Sequence, residues 1–494
     1  MSRKLFLSTI AALTTVELVS WLSFGNGFLQ RASFAVVIVV IFIASCYRLE
    51  YGIYAIVAEL VVGSFGYILS FPIYSFNVSL RLGLFLVVLV AWLITAWRTH
   101  HWAYRTLTLW PWYVGIFTFL IIGVGLGWLN QHNLKDIFFD WNGYIFFGMI
   151  FPFSHVLKSR VTIERLCTVL VAGVTVLGVQ SVLVLFLFSH QTTFGYYLPT
   201  IYQWIRDYRI GEITLQAHNF YRVFFQSHLY VIFALVLSLT RFFSKPSWWW
   251  WLVMAVTTNL LVLSYSRTFW LVTVVTLTMW LVALWYYRLV TVRQLPGRLA
   301  LTVLAMGVGY MVLYGIVVVP LAGDRGSDIS ATELLTDRAD NPVTEAAGSS
   351  RLALLGPLWH KVIEHPFIGS GFGATVTYTS KDPRVLATHP DGRYTTYAFE
   401  WGYLDIWLKL GVPGIVLFFG LLYSLIRQAH QVLRSTVHQL ANNDRTTIIT
   451  VALGTLALGG IHLLTPYLNH PLGIGWLIIA SCVMQFYVNQ AAQN

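Results

Sequence analysis

The sequence predicts an all-α fold: a polytopic helical membrane bundle of about fourteen transmembrane helices, with a large extracytoplasmic loop between spans 11 and 12. Three observations predict it. Hydrophobic residues make up 57% of the chain and charged residues only 10%, at a mean hydropathy of +0.69. A soluble domain carries about 25% charged residues, and a chain this poor in charge could not cover a water-exposed surface. Apolar runs of about 17–25 residues recur from end to end, the length that crosses a bilayer as a helix. Lys and Arg fall between the runs, mainly in alternate connections, as the orientation signal of a membrane protein does.

The runs cover 5–23, 32–47, 52–70, 80–97, 110–129, 137–157, 166–189, 223–241, 247–264, 268–287, 300–321, 404–426, 446–465 and 470–489. Residues 1–321 thus hold spans 1–11, residues 322–403 form the large loop, and residues 404–494 hold spans 12–14. With Arg3 and Lys4 inside, the even-numbered connections carry Arg48; Arg98 and Arg105; Lys158, Arg160 and Arg165; Arg241 and Lys245; Arg288, Arg293 and Arg298; and Arg427, Arg434 and Arg445. The opposite short connections hold mainly Arg31, Arg81, Lys135 and Arg267. Both termini then lie in the cytoplasm. Trp248–Trp251 follow Lys245 and Pro246 at a cytoplasmic entry, and Trp110, Trp112 and Trp128 bracket another span. Indole rings favour that headgroup level. The apolar stretch after Lys4 lacks a convincing small-residue cleavage site and reads as a retained first helix.

The net charge of +11 is the sum of these scattered connections rather than one basic stripe, so no nucleic-acid partner is expected. Cys46, Cys167 and Cys482 lie in or beside apolar runs without metal-ligand spacing. Neither a zinc site nor a disulfide framework is expected, and no cofactor is called for. No internal repeat is evident.

Charges inside spans need an account, because lipid solvates them poorly. Glu17 and Glu59 read as helix-packing carboxyls, protonated or hydrogen-bonded to a neighbour, the alternative being a proton or cation path. Later spans read as free of such groups and as unbroken. Both features argue against the main rival reading, a transporter or lipid-linked glycan flippase.

The outer side differs. The segment 190–222 holds Tyr196, Tyr197, Arg206, Asp207, Arg209, Glu212 and Arg222. In the large loop, Asp324–Ser350 is acidic and reads as mobile, and the loop as a whole shows no core pattern. Arg351–Glu364 reads as an amphipathic helix with Leu352, Leu355, Trp359, Val362 and Ile363 near one face, ended by Pro366. Arg222, Arg267 and Arg351 all fall on this side. Guanidinium groups there either anchor helix ends or hold phosphate oxygens in a bidentate grip. His360, His365, His389, Asp391, Arg393 and Glu400 are candidates for acid–base work. Glu400 stands out: it lies between Tyr394, Tyr397 and Phe399 on one side and Trp401, Gly402 and Tyr403 on the other. Partial desolvation at this membrane entry would raise its pKa and suit it as a base. Tyr397, Trp401 and Tyr403 could stack on sugar rings. Gly369-Ser370-Gly371-Phe372-Gly373 follows no strand and precedes no Lys-Ser/Thr pair, so it reads as a tight turn rather than a nucleotide loop.

The string Trp359-His360-Lys361-Val362-Ile363-Glu364-His365-Pro366-Phe367-Ile368-Gly369-Ser370-Gly371-Phe372-Gly373 resembles the loop signature of the O-antigen ligase and polymerase superfamily. Gly402-Tyr403-Leu404-Asp405-Ile406-Trp407-Leu408-Lys409-Leu410-Gly411-Val412-Pro413-Gly414 is similar to that family's re-entry into the membrane, and Ser266-Arg267 matches its pattern at an outer helix end. The resemblance in motif spans roughly 260–420. It implies a metal-independent, multi-pass glycosyltransferase of the bacterial inner membrane. Its donor would be a glycan on a polyprenyl (undecaprenyl) diphosphate. Its acceptor would be another glycan repeat in a polymerase, or a lipid A core sugar in a ligase. The resemblance further implies that Arg222 and Arg267 hold the diphosphate, with Arg351 a further candidate, and that a loop residue activates the acceptor hydroxyl. Where family ligases carry His-Asn before the re-entry, this chain has Glu400-Trp401. That departure points to a polymerase-like enzyme with Glu400 as base, His389 being the neighbouring source of an imidazole.

Overall fold

A computed structural model describes every residue except 1, 74–75, 101, 103–106, 217–219, 288–291, 322–328, 334–335, 337–345, 436–439 and 494. Arg105, Arg288 and most of the acidic stretch 324–350 therefore lie outside the described residues.

The chain is mostly helical. It begins with α1 (Arg3–Leu22), α2 (Gly27–Tyr47), α3 (Leu49–Val62), α4 (Leu80–Thr99), α5 (Trp110–Leu129), the short α6 (Leu134–Trp141) and α7 (Ile150–Val156), and the long α8 (Arg160–Ser189). Two small helices follow, α9 (Gln191–Phe194) and α10 (Leu198–Asp207), then α11 (His228–Ser244), α12 (Trp248–Leu263), α13 (Arg267–Tyr286) and α14 (Leu295–Val318). The large loop contributes α15 (Ala346–Glu364) and α16 (Pro383–Leu386), and α17 (Gly402–Ser435), α18 (Asn442–His462) and α19 (Pro471–Gln493) complete the bundle. Among the described residues nine helices are long and apolar enough to cross a membrane: α1, α2, α4, α5, α8, α13, α14, α17 and α19; α11 and α12 are apolar but shorter. Entry signals are local. Ser159 caps α8 by accepting from the Thr162 amide at 3.2 Å, and the Thr162 hydroxyl accepts from the Ser159 amide in return.

The helices divide into a periphery and a centre. In its most apolar stretch α2 buries only 6% of residues, whereas α19 buries 83%. In α11 every residue from His228 to Phe243 is buried. The peripheral helices leave broad apolar faces uncovered, among them Phe28, Val39, Ile121, Val274 and Val303. Water would not tolerate such faces, and lipid does.

The structure departs from the hydropathy reading in four places. The run 52–70 is helical only to Val62. Beyond it, Gly63–Gly66 turn the chain into a hairpin, β1 (Ser70–Ile73) with β2 (Phe76–Ser79), paired Ser70 to Ser79. The run 137–157 is broken into α6, a tighter 3₁₀ stretch over Asn142–Met149, and α7. Gly143 sits there against the Asn469 carbonyl oxygen, which a Cβ would approach to 2.5 Å. Helix α17 kinks at Gly411, whose φ of +66° suits glycine, with Pro413 just beyond. The expectation of unbroken later spans is thus corrected twice. Two further hairpins, β3 (Glu212–Leu215) with β4 (Tyr221–Phe224) and β5 (Val376–Thr379) with β6 (Arg393–Thr396), add strands to a fold expected to be all-α.

Polar contacts gather at the two ends. At one end, Ser20 donates to the Ile68 carbonyl, the Ser64 amide donates to Ser227, and Tyr467 donates to the Gln226 carbonyl. The large loop joins this end. At the opposite end Arg165 pairs with Glu50, Arg160 with Asp444, and Arg241 with Glu164. Near the loop end Glu59 is gripped by Arg81 through two bonds of 2.8 and 3.0 Å, and Arg81 also donates to the Ser64 carbonyl at 2.7 Å. Glu59 therefore has the neighbour-bonded role read for it. Glu17 Oε1 is buried without a hydrogen-bond partner, so the neighbour-bonded alternative does not apply to that oxygen.

Removing one member of a buried pair leaves an uncompensated charge, at a cost of about 3–5 kcal/mol. Arg81→Leu is expected to lower the melting temperature of the detergent-solubilised protein sharply. The double change Arg81→Leu with Glu59→Leu is expected to recover most of it. Equal melting of the wild type and Arg81→Leu would show that the pair does not hold the α3–α4 turn.

Candidate functional site

Sequence reasoning missed the most heavily buried charged cluster in the structure. Lys409 on α17 is fully buried and pairs with Asp405 one turn earlier and with Asp140 at the end of α6. Asn469 donates to the free oxygen of Asp405 at 2.9 Å, and the Gly373 amide donates to Asp140 at 3.0 Å. The Lys409 ammonium also lies 5.4 Å from the centre of the Phe399 ring. The cluster ties together α6, α17, the connection before α19, the glycine turn and the strip that leads to Glu400. It corrects the expectation that later spans hold no charges. Its one signal in the sequence was the i, i+4 spacing of Asp405 and Lys409.

The glycine turn sits directly on this cluster. Gly369, Gly371 and Gly373 all have φ near +80°, a region costly for any side chain. A Cβ on Gly371 would stand 2.2 Å from the Gly127 nitrogen. The turn's amides are committed to the bundle: Ser370 donates to the Leu408 carbonyl, Gly371 to Lys409, Phe372 to Gly123 and Gly373 to Asp140. Asn130 and His132 hold the Ser370 and Phe372 carbonyls. Those amides are not available to a phosphate, so the segment is the tight turn that its context suggested.

The loop beyond the turn has a core of its own, contrary to the reading of an unpatterned segment. Leu354, Leu358 and Val362 of α15 pack with Ala374, Val376, Phe399 and Leu408. The buried stripe of α15 is therefore offset from the expected one. Leu352, Trp359 and Ile363 lie on its exposed side.

Arg222 and Arg267 meet at one turn. Arg222 lies on β4 and donates from Nε to the Ser264 carbonyl at 2.8 Å, three residues before Arg267 opens α13. Its guanidinium stacks on Phe224, 4.8 Å from the ring centre, and Glu212 on the paired strand approaches within 3.9 Å. Phe224 in turn contacts Phe269, one turn from Arg267's end of α13. Arg222 is largely buried and Arg267 partly so. Arg222 is thus tied to the turn that precedes Arg267 in the chain.

Arg351 and Glu400 meet elsewhere at the same end. Arg351 Nε is ion-paired with Glu400, and Trp401 donates from its ring nitrogen to the Arg351 carbonyl at 2.9 Å. Arg351 thus binds a carboxylate where it was expected to bind diphosphate. The Glu400 side chain is half exposed. The end of α18 lies between the two arginine sites: Gly459 accepts from the Tyr403 hydroxyl at 2.8 Å, and Gly460 faces Val272 of α13. Tyr403 stacks on Phe419 at 4.6 Å, which packs it between helices rather than toward an acceptor sugar. Tyr397 lies in the field of Asp136, Asp140 and Lys409; burial first, then the two carboxylates, hold its phenol above its ordinary pKa. It remains a neutral hydrogen-bond donor. His389 bonds Thr388 at 2.9 Å and touches Tyr394. Tyr394 also contacts Tyr378, whose phenol lies in the field of Glu400. His360 and His365 are exposed on and after α15.

Residues 251–419 match the family model described as O-antigen ligase. That segment contains Arg267, Arg351, Glu400, the glycine turn and Lys409, and the resemblance of Trp359–Gly373 and Gly402–Gly414 to the O-antigen ligase and polymerase superfamily holds. No curated protein matches the chain.

Lys409→Met leaves two carboxylates facing each other in the core, and about 3–5 kcal/mol of stability is expected to be lost. Adding Asp140→Asn and Asp405→Asn should restore part of it. Gly371→Ala, strained in φ and in space, should also lower thermal stability. Unchanged melting of Lys409→Met would remove the cluster from the account.

Proposed function

We propose that this chain is a metal-independent membrane glycosyltransferase acting on a polyprenyl-diphosphate-linked glycan at the outer face of a bacterial cytoplasmic membrane. In this proposal the chain crosses the membrane fourteen times, by the nine long apolar helices together with α11, α12, α3, α18 and the broken α6–α7 segment. Both termini then lie on the cytoplasmic side, with the large loop between crossings 11 and 12 outside.

The observation that carries the proposal is the Arg222–Ser264 bond, which sets Arg222 beside the Ser266–Arg267 turn. Diphosphate leaves readily once donors take up its developing charge. Arg222 and Arg267 supply those donors. The acceptor hydroxyl oxygen attacks the anomeric carbon, the bond to diphosphate breaks, and the polyprenyl diphosphate departs. Attack opposite the leaving group inverts that carbon. Glu400 takes the hydroxyl proton after exchanging its Arg351 partner for the acceptor. Arg351 positions Glu400, and Tyr397 and Trp401 border the acceptor. Carboxylate-Trp in place of His-Asn favours a polymerase, with a second glycan repeat as acceptor, over a ligase.

The broken α6–α7 segment and the buried Asp405–Lys409 pair favour a second reading, transport of a lipid-linked glycan, since transporters use broken helices and buried charge. Purified protein with an undecaprenyl-diphosphate glycan distinguishes them. Release of lipid diphosphate with a longer or transferred glycan is expected. Glycan accumulation in sealed vesicles without a new glycosidic bond would favour transport.

Arg222→Ala and Arg267→Ala should each reduce turnover by about 10²–10³-fold, the loss typical of one charge-stabilising donor, with expression retained. Near-wild-type product from either removes that arginine from the site. Glu400→Gln should be severely impaired; an active Glu400→Gln beside an inactive His389→Ala would move the base to His389.

A further inference from the structure

A second polar cavity lies at the end of the bundle opposite the large loop. It occupies about 250 Å³ between α8, α11, α12 and α18. Glu164, Arg241, Lys245, Ser247, Trp250 and Asn443 are among its walls.

Its charges are arranged unequally. Arg241 is almost wholly buried. One of its nitrogens donates to Glu164 at 2.8 Å and to Thr447 at 3.0 Å. Its Nε is buried and has no hydrogen-bond partner. Lys245 is exposed at the mouth. Asp444, the nearby second carboxylate, faces Arg160 and Tyr487. The walls thus carry two cations against one carboxylate, and that carboxylate is already spent on Arg241. An anion at the mouth balances this excess of positive charge.

The level of the cavity points to the source of the anion. The Trp248–Trp251 run begins just past Lys245, and Trp248 projects from the bundle. Tryptophans mark the headgroup zone, and basic pockets between membrane helices on this side bind anionic headgroups.

We infer that this cavity is a phosphate-binding site that takes the headgroup of an anionic phospholipid. The phosphate oxygens accept from Lys245 Nζ, with Ser247 and Asn443 as further polar neighbours and the Arg241 guanidinium as a second positive charge in the wall. A bound headgroup would brace α8, α11, α12 and α18 against one another. The inference does not depend on glycosyl transfer, and its failure would leave that proposal untouched.

The full-length protein in neutral detergent is tested by native mass spectrometry and thermal melting, with phosphatidylglycerol, phosphatidylcholine or inorganic phosphate added. Phosphatidylglycerol should be retained preferentially and should raise the melting temperature more than phosphatidylcholine. Lys245→Ala, at an exposed position that folding does not require, should weaken phosphatidylglycerol binding about fivefold, the effect of one cation at a membrane surface. Lys245→Glu should abolish the preference. Protection by inorganic phosphate alone, lost in Lys245→Ala, would support the phosphate site and overturn the lipid source. Equal retention of both lipids, or a phosphatidylglycerol preference unchanged in Lys245→Glu, would overturn the proposal.

Discussion

A lysine sealed inside a helical bundle constrains everything around it. Lys409 is fully buried, and two carboxylates supply its counter-charge. One comes from its own helix and the other from α6, so the ion cluster can form only when α6 and α17 are in register. The excess negative charge is met by the Gly373 amide and the Asn469 side chain. The interaction is weak evidence for stability by itself, because desolvation offsets most of the Coulomb attraction. In the observed arrangement of these segments all five groups are partnered.

The cluster also explains why the loop is positioned rather than free. The glycine turn is fastened to α5, α6 and α17 through its backbone, and Phe399 lies against the Lys409 ammonium. Arg351, Glu400 and Trp401 follow from that anchor. The second arginine site has a separate support, the β3–β4 hairpin and the short α12–α13 turn. Two rigid supports meeting at one end of the bundle are what a transfer reaction between a lipid-borne donor and a sugar acceptor requires, since precise juxtaposition supplies much of the rate.

Hydropathy revealed most of the helices because length and apolarity are local properties. It hid the break after Trp141, because averaging over a window blurs an eight-residue irregularity inside an apolar run. It hid the charged cluster for a different reason: Asp140 and Lys409 are 269 residues apart, and only the folded bundle makes them neighbours. The face of α15 was misread because its sequence offers two apolar stripes, and only the packing of Val376 and Phe399 decides between them. Arg222 and Arg267 were recognisable as unusual charges on one side. The bond from Arg222 to the Ser264 carbonyl, three residues before Arg267, was not, and neither was the diversion of Arg351 to Glu400.

The central claim is that Arg222 and Arg267 together receive the diphosphate of the donor. A structure of the protein with a non-transferable polyprenyl-diphosphate analogue tests it most directly. The account predicts phosphate oxygens within hydrogen-bonding distance of both guanidinium groups, with the reducing-end sugar directed toward Glu400. Diphosphate seated away from both arginines would contradict it.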